Sequence, residues 1–169
     1  MIQDFYTSAH PYAFLAIPTL SKAAGIYHTN PKLFYVPKQK ALGNYNKDYG
    51  DELYMIVERP EGEWIEQESF GRPNHDIEST AGMYERLRRD EKYSLDEAAY
   101  IRARVFDMLV GDWDRHEDQW RWAEFEDSQG NRLFRPIPRD RDQVFSNFDG
   151  AFFNTLRGIT GFANQFAVY

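Results

Sequence analysis

The sequence predicts an α+β fold, a helical lobe with short antiparallel strands, and three observations carry that expectation. Ile101, Val105, Met108 and Leu109 recur at helical spacing behind Ser94-Leu95-Asp96-Glu97, a capping-box pattern, so a helix is expected from about Ser94 to Val110. Residues 120–125 and 131–137 alternate around the turn Asp127-Ser128-Gln129-Gly130, which is a hairpin pattern. Two further strand-like runs, Lys32-Leu33-Phe34-Tyr35-Val36 and residues 52–58, are rich in β-branched and aromatic residues and are expected to pair antiparallel.

The remaining elements follow from local punctuation. Ser8 to Gly25 reads as helical, with Pro11 in a first turn, apolar faces at Tyr12, Phe14, Leu15 and Leu20, and Gly25 as the C-terminal cap. Pro18 is expected to kink or divide that helix, because its ring cannot sit in a helix interior. Gly43, Asn44, Asn46 and Gly50 mark a polar link between the strands, and Arg59-Pro60-Glu61-Gly62 marks a turn. Trp64 to Asp76 reads as a polar connector, Ile77 to Arg89 as helix, and the Phe-, Gly- and Asn-rich chain after Phe145 offers only short helical stretches.

A chain of 169 residues suits one domain with one core. Aromatic residues make up 17% of it, which is the composition of a packed globule and not of a disordered linker. The net charge of −7 argues against nonspecific partnership with nucleic acid or an anionic membrane face, since both need a basic surface. With no Cys there is neither a disulfide framework nor a thiolate ligand or nucleophile. No run has the length of a membrane span, so direct membrane insertion by this segment is not expected.

Acidic residues concentrate around the end of the expected central helix, at Asp107, Asp112, Asp114, Glu117 and Asp118, and again after the hairpin at Asp140 and Asp142. A hairpin returns the chain to where it left, so Asp140 is expected back near Asp114. Carboxylates gathered this way suit a hard cation such as Mg²⁺ or Mn²⁺, with phosphate as a further ligand. The competing reading is a solvated face of salt bridges with Arg115, Arg139 and Arg141. His10, His28 and His75 lack metal-ligand spacing and read as structural or surface residues. An EF-hand fails, because counting from Asp112 puts Glu117 where that loop needs Gly.

The order of an apolar helix, Gly111-Asp112-Trp113-Asp114-Arg115-His116, Gln119, a hairpin and then Pro138-Arg139-Asp140-Arg141-Asp142-Gln143-Val144-Phe145 resembles the atypical kinases. These are the HipA-like, CotH-like, secretory-pathway and phosphoinositide kinases. The resemblance implies a partial protein-kinase-like fold in which Asp114 is the catalytic Asp, Asp140 and Asp142 hold metal, and ATP is the phosphoryl donor to a hydroxyl-bearing substrate. Gln119 stands where CotH-like kinases carry Asn as a second metal ligand, and Asp112 stands where the loop usually has Asn. In such a loop Arg115 and His116 more often pin the backbone than touch substrate. On the same resemblance, Lys22-Ala23-Ala24-Gly25-Ile26, the two strands and Val57-Glu58-Arg59 follow the HipA-like order, so residues 1–62 would be the remnant of an N-lobe with Glu58 in the nucleotide hinge. Residues 77–169 would then be the C-lobe.

A Gly-rich loop and a strand Lys would have to precede the first helix, and Lys22, Lys32 and Lys38 come too late in the order to serve. Asp4 is the sole early acidic candidate to partner such a Lys. The expectation is that the chain is a segment of a longer polypeptide, binding Mg²⁺ or Mn²⁺ weakly and ATP poorly when alone. The alternatives to a phosphotransferase are a pseudokinase-like scaffold without turnover and a metal-dependent phosphohydrolase. Asp112-Trp113-Asp114-Arg115-His116-Glu117-Asp118-Gln119-Trp120 also resembles the middle region of bacterial envelope proteins that join a metallophosphoesterase-like domain to an outer-membrane barrel, which implies a periplasmic or cell-envelope setting.

Overall fold

Four α-helices and two small sheets make up the mixed α and β architecture of the computed structural model, which describes residues 10–112 and 114–146. Ser8, Asp4 and the Phe-rich segment beyond residue 146 lie outside the described residues. No helix among the described residues is long and apolar enough to cross a membrane.

The N-terminal part begins with a 3-10 turn, Ala13–Ala16, that runs into helix α1, Ile17–Ala23. Pro18 starts this helix instead of kinking it, because it falls in the first turn, where no amide hydrogen bond is lost. Tyr12, Leu15 and Leu20 point outward, and Ala13, Ile17 and Ser21 are buried in their place. Strands β1, Lys32–Val36, and β2, Glu52–Ile56, then pair antiparallel with Leu33 opposite Met55 and Tyr35 opposite Leu53. The polar link between them is more regular than expected, with a 3-10 segment at Lys40–Tyr45 and one turn of helix, α2, at Asn46–Tyr49.

The second sheet has the strand order β3-β5-β6-β4. Strands β5, Trp120–Glu126, and β6, Arg132–Pro138, form the expected hairpin. Its turn is tied by Asp127, whose Oδ1 accepts the amides of Gln129 at 2.8 Å and Asn131 at 2.9 Å. Two elements differ from the sequence expectation. Ile77–Ser79 is strand β3, paired with β5, and helix α3 starts only at Thr80, running to Arg89 with Ser79 as its cap. Tyr93–Leu95 is strand β4, parallel to β6, so Ser94 donates to the Arg132 carbonyl instead of capping. Asp96 caps helix α4, Glu97–Leu109, by accepting the Ala99 amide at 2.9 Å. In both cases a tertiary strand pairing claims residues whose local pattern suits a helix start.

Alternation along β5 and β6 gives this sheet two apolar faces. Trp120, Trp122 and Phe134 pack with Met83 of α3 and with Ala103, Phe106 and Val110 of α4. Ala123 and Ile137 face the other way and are covered by Phe70 and Trp64. The connector read as polar therefore supplies a third layer. Helix α4 also turns opposite to expectation. Ile101, Val105, Met108 and Leu109 are between 52% and 80% exposed, and Ala103, Phe106, Asp107 and Val110 are buried. Both faces of α4 carry apolar residues, and the face inward is the one whose carboxylate has partners waiting.

Candidate functional site

The site is built where α4 ends. Asp112 N donates to the Asp107 carbonyl at 2.8 Å and Gly111 N to that of Met108 at 3.2 Å, the paired bonds of a Schellman turn. Gly111 occupies the left-handed position with φ of 69°, which glycine adopts at no steric cost. The turn folds the chain back on the helix and sets the Asp112 carboxylate beside that of Asp107.

Three guanidinium groups converge on these two acids. Asp107 Oδ1 accepts from Arg141 Nη2 at 2.8 Å and Nε at 3.1 Å, while Oδ2 accepts from Arg115 Nε and Arg104 Nη1, each at 3.1 Å. Arg115 also pairs with Asp112 and donates from Nη1 to the Arg139 carbonyl at 2.5 Å and the Gln119 carbonyl at 3.3 Å. Its side chain is 1% exposed and stacks over Trp120 at 5.3 Å. Arg115 thus pins the loop to the segment after β6, as a buried fork with five donors can. Burial outweighs the nearby Arg115 charge at Asp112 and, with Asp107 close, lifts its carboxyl to about 6.

The far side of this hub is formed by the chain leaving β6. Arg139 N donates to the Gln119 carbonyl at 2.8 Å, extending the hairpin ladder by one bond. Asp140 then adopts a left-handed conformation with φ of 53°, uncommon for any residue but glycine and most tolerated by Asn and Asp. Arg141 turns inward to Asp107 and to Ser21 Oγ at 3.0 Å, and together with Arg139, Asp140 and Asp142 it lines a cavity. Burial, then the Asp140 charge, and more weakly that of Asp114, raise the Asp142 carboxyl above its ordinary range. The Asp114 charge therefore reaches Asp142, though weakly.

The cavity has a volume of about 130 Å³. Its opposite wall is Met55, Val57 and Glu58 at the end of β2, with Phe14 and Ile17 closing one side. The Glu58 carboxylate is engaged by Asn30, whose Nδ2 lies 3.1 Å from Oε1. Among the described residues no backbone hydrogen bond engages Val57, Glu58 or Arg59, which leaves main-chain donors and acceptors at the cavity rim. His28, read from sequence as structural or surface, is a buried wall residue held below its ordinary pKa by desolvation.

Gln119 is buried, and its Oε1 has no hydrogen-bond partner among the described residues. It does not line the cavity wall that carries Asp140 and Asp142. Among the described residues no three His, Cys, Asp or Glu side chains gather into a metal-holding group. The donors on the cavity are the hard oxygens of two carboxylates, Asp140 and Asp142, whose chemistry fits Mg²⁺ or Mn²⁺ completed by water or phosphate. No family model matches the chain, and no curated protein or solved structure matches it. The chemistry of the site is therefore read from its own side chains.

The structure brings Glu58, Asp140 and Asp142 onto one cavity, which neither Asp114 nor Gln119 lines, although the Asp114 charge reaches Asp142 weakly. Sequence reasoning missed the pivot of the arrangement, Asp107, and its partner Arg141. An acidic residue in a helix followed by an Arg 34 positions later carries no local signal. Their link is made only when Arg141 is delivered to α4 and to Ser21, which is 120 positions away.

Proposed function

We propose that this chain carries the catalytic and metal-binding half of a kinase-like phosphotransferase, using ATP and a divalent cation on a hydroxyl-bearing acceptor. The observation that carries the reading is the placement of Asp140 and Asp142 on a cavity whose other wall is the end of β2, with the Asp114 charge reaching Asp142 weakly. Asp114 is exposed at the loop, where it can accept or orient the proton of an attacking hydroxyl. Asp140 and Asp142 would hold the cation, which supplies charge neutralisation to the phosphates when bound, whereas Gln119, expected from the resemblance as a further ligand, does not line their cavity. Free main-chain groups at Val57 to Arg59 would meet the base of the nucleotide, with Phe14, Ile17 and Met55 as its apolar walls. Arg115 and Asp107 hold the two loops in register and touch no substrate.

One observation favours a second reading, a pseudokinase-like binding module without turnover. The cavity of about 130 Å³ is well below the roughly 300 to 1,000 Å³ of ordinary ligand pockets. It accommodates a ring, not a whole nucleoside triphosphate.

Calorimetric titration with MnCl₂ and with Mg·ATP, beside a phosphoryl-transfer assay on the chain, separates the two. The phosphotransferase reading expects weak Mn²⁺ binding that Asp140→Asn weakens tenfold or more. It also expects transfer that Asp114→Asn abolishes with Mn²⁺ binding retained. Metal and nucleotide binding with no transfer in any form of the chain would favour the binding module. Binding unchanged by Asp140→Asn would remove both assignments.

A further inference from the structure

Three arginines delivered by separate segments gather at one end of the second sheet. Arg121 of β5 stands opposite Ile137 of β6. Arg139 comes two residues after Ile137 and prolongs the same ladder through its bond to the Gln119 carbonyl at 2.8 Å. Alternation therefore puts Arg121 and Arg139 on one face as diagonal neighbours, a separation that long side chains span. The third is Arg59, in the segment between β2 and β3. Pro60 beside it is fully buried and Gly62 is bridged to Ile77 of β3, so that segment is tied to the same sheet.

The charges of these arginines are poorly balanced. Arg59 has Glu61 at 3.2 Å, but the two side chains are 73% and 63% exposed, and water screens such a pair. Among the described residues neither Arg121 nor Arg139 has an ion-pair partner. Arg121 donates from Nη1 to the carbonyls of Asp118 at 3.0 Å and Trp120 at 2.8 Å, which leaves Nε and Nη2 free, and the half-buried Arg139 guanidinium has no acceptor. Burial first, then the Arg121 and Arg59 charges, hold Arg139 below its ordinary pKa range, and the attraction of Asp140 and Glu61 counts for less. Cations placed where they repel one another mark a site that an anion completes.

The two unpaired charges define that anion. A phosphomonoester carries about two negative charges at neutral pH on several acceptor oxygens, and planar guanidinium forks engage such oxygens in pairs. A carboxylate offers a single charge and too few oxygens for three forks.

We propose that Arg59, Arg121 and Arg139 form a binding site for a phosphomonoester, in a chain whose net charge of −7 otherwise repels anions. The site needs neither nucleotide nor metal. Arg139 also lines the cavity of Asp140 and Asp142, so a ligand held by its phosphate can extend into that cavity. On the phosphotransferase reading, and only on it, the hydroxyl-bearing acceptor is then itself a phosphomonoester.

The test is titration of the whole chain with glycerol 3-phosphate, inorganic phosphate and acetate, in EDTA and without nucleotide. The arginine Nε–H and tryptophan indole N–H resonances are followed by two-dimensional NMR. Saturable shifts of the Arg121 and Arg139 signals by glycerol 3-phosphate are expected. Arg121→Gln and Arg139→Gln should each weaken binding tenfold or more while keeping the indole pattern of the folded chain. Arg89→Gln, the same loss of charge at an exposed position of α3, should leave binding unchanged. Metal is excluded, so phosphate binding survives a failed Mn²⁺ titration and the two readings fail separately. Absence of saturable shifts with glycerol 3-phosphate, equal weakening by Arg89→Gln and Arg139→Gln, shifts with inorganic phosphate alone, or acetate binding as tight as the ester would overturn the proposal.

Discussion

Asp112 shows how one residue can work against the fold that positions it. Its carboxyl ordinarily titrates at 3.8 and in the folded chain at about 6, chiefly through burial. The folded state then binds the proton more tightly than the unfolded state. Its contribution to stability is fully present below the unfolded value and is lost as pH rises from about 4 to about 6. Two units correspond to about 3 kcal/mol, an order of magnitude for the cost of the buried charge at neutral pH. Asp112→Asn should be stabilised relative to the unaltered chain at pH 7 and should lose most of that advantage at pH 4. Urea midpoints measured between these values check it, and a difference independent of pH would show that Asp112 is not charged at this cost. Asp107 is the opposite case, since five hydrogen bonds from three arginines compensate its burial. Neither role was legible in the sequence, where the two acids sit in one run of similar residues.

At the scale of elements, α4 decides the site because it presents Asp107 inward and ends in the turn at Gly111. Its existence and length were legible from spacing and from the acidic residues at its start. Its rotation was not. A helix apolar on two faces has no periodicity that chooses between them, and the choice falls to the ion pairs Asp107 can make. Two substitutions test this assignment of faces. Phe106→Ala should cost about 3 to 5 kcal/mol as a cavity in the core, whereas Val105→Lys should change stability by less than about 0.5 kcal/mol. Equal losses in thermal or denaturant unfolding would mean that the exposed face is covered in solution.

Across the whole molecule, stability is expected to be uneven. The β5–β6 hairpin is flanked by strands on both sides and covered on both faces by Phe106, Met83, Phe70 and Trp64. Among the described residues the β1–β2 pair has two strands, and Phe34, Tyr35, Leu53, Met55 and Ile56 are exposed on its two faces. An isolated two-stranded ribbon is marginal in water. Amide exchange should therefore be fastest in residues 32–36 and 52–56 and slowest in residues 120–126 and 132–138. Equal protection of the two hairpins would show that β1 and β2 are buried by something else. Since β2 ends in the wall of the candidate nucleotide cavity, ligand binding there should slow exchange first in this pair.

The sequence by itself determined both antiparallel strand pairs and helices α3 and α4 to within a few residues, and the existence of α1, whose start it placed too early. Each of these follows from local spacing, turn chemistry or caps. The tertiary structure decided the parallel pairing of β4 that shifts the cap from Ser94 to Asp96, the covering of the sheet by Phe70, and the convergence of Arg104, Arg115 and Arg141 on Asp107. The reason is that a buried charge is stable only when partners from distant segments reach it together. The energy of that meeting depends on three-dimensional proximity and leaves no period, cap or turn residue in the chain.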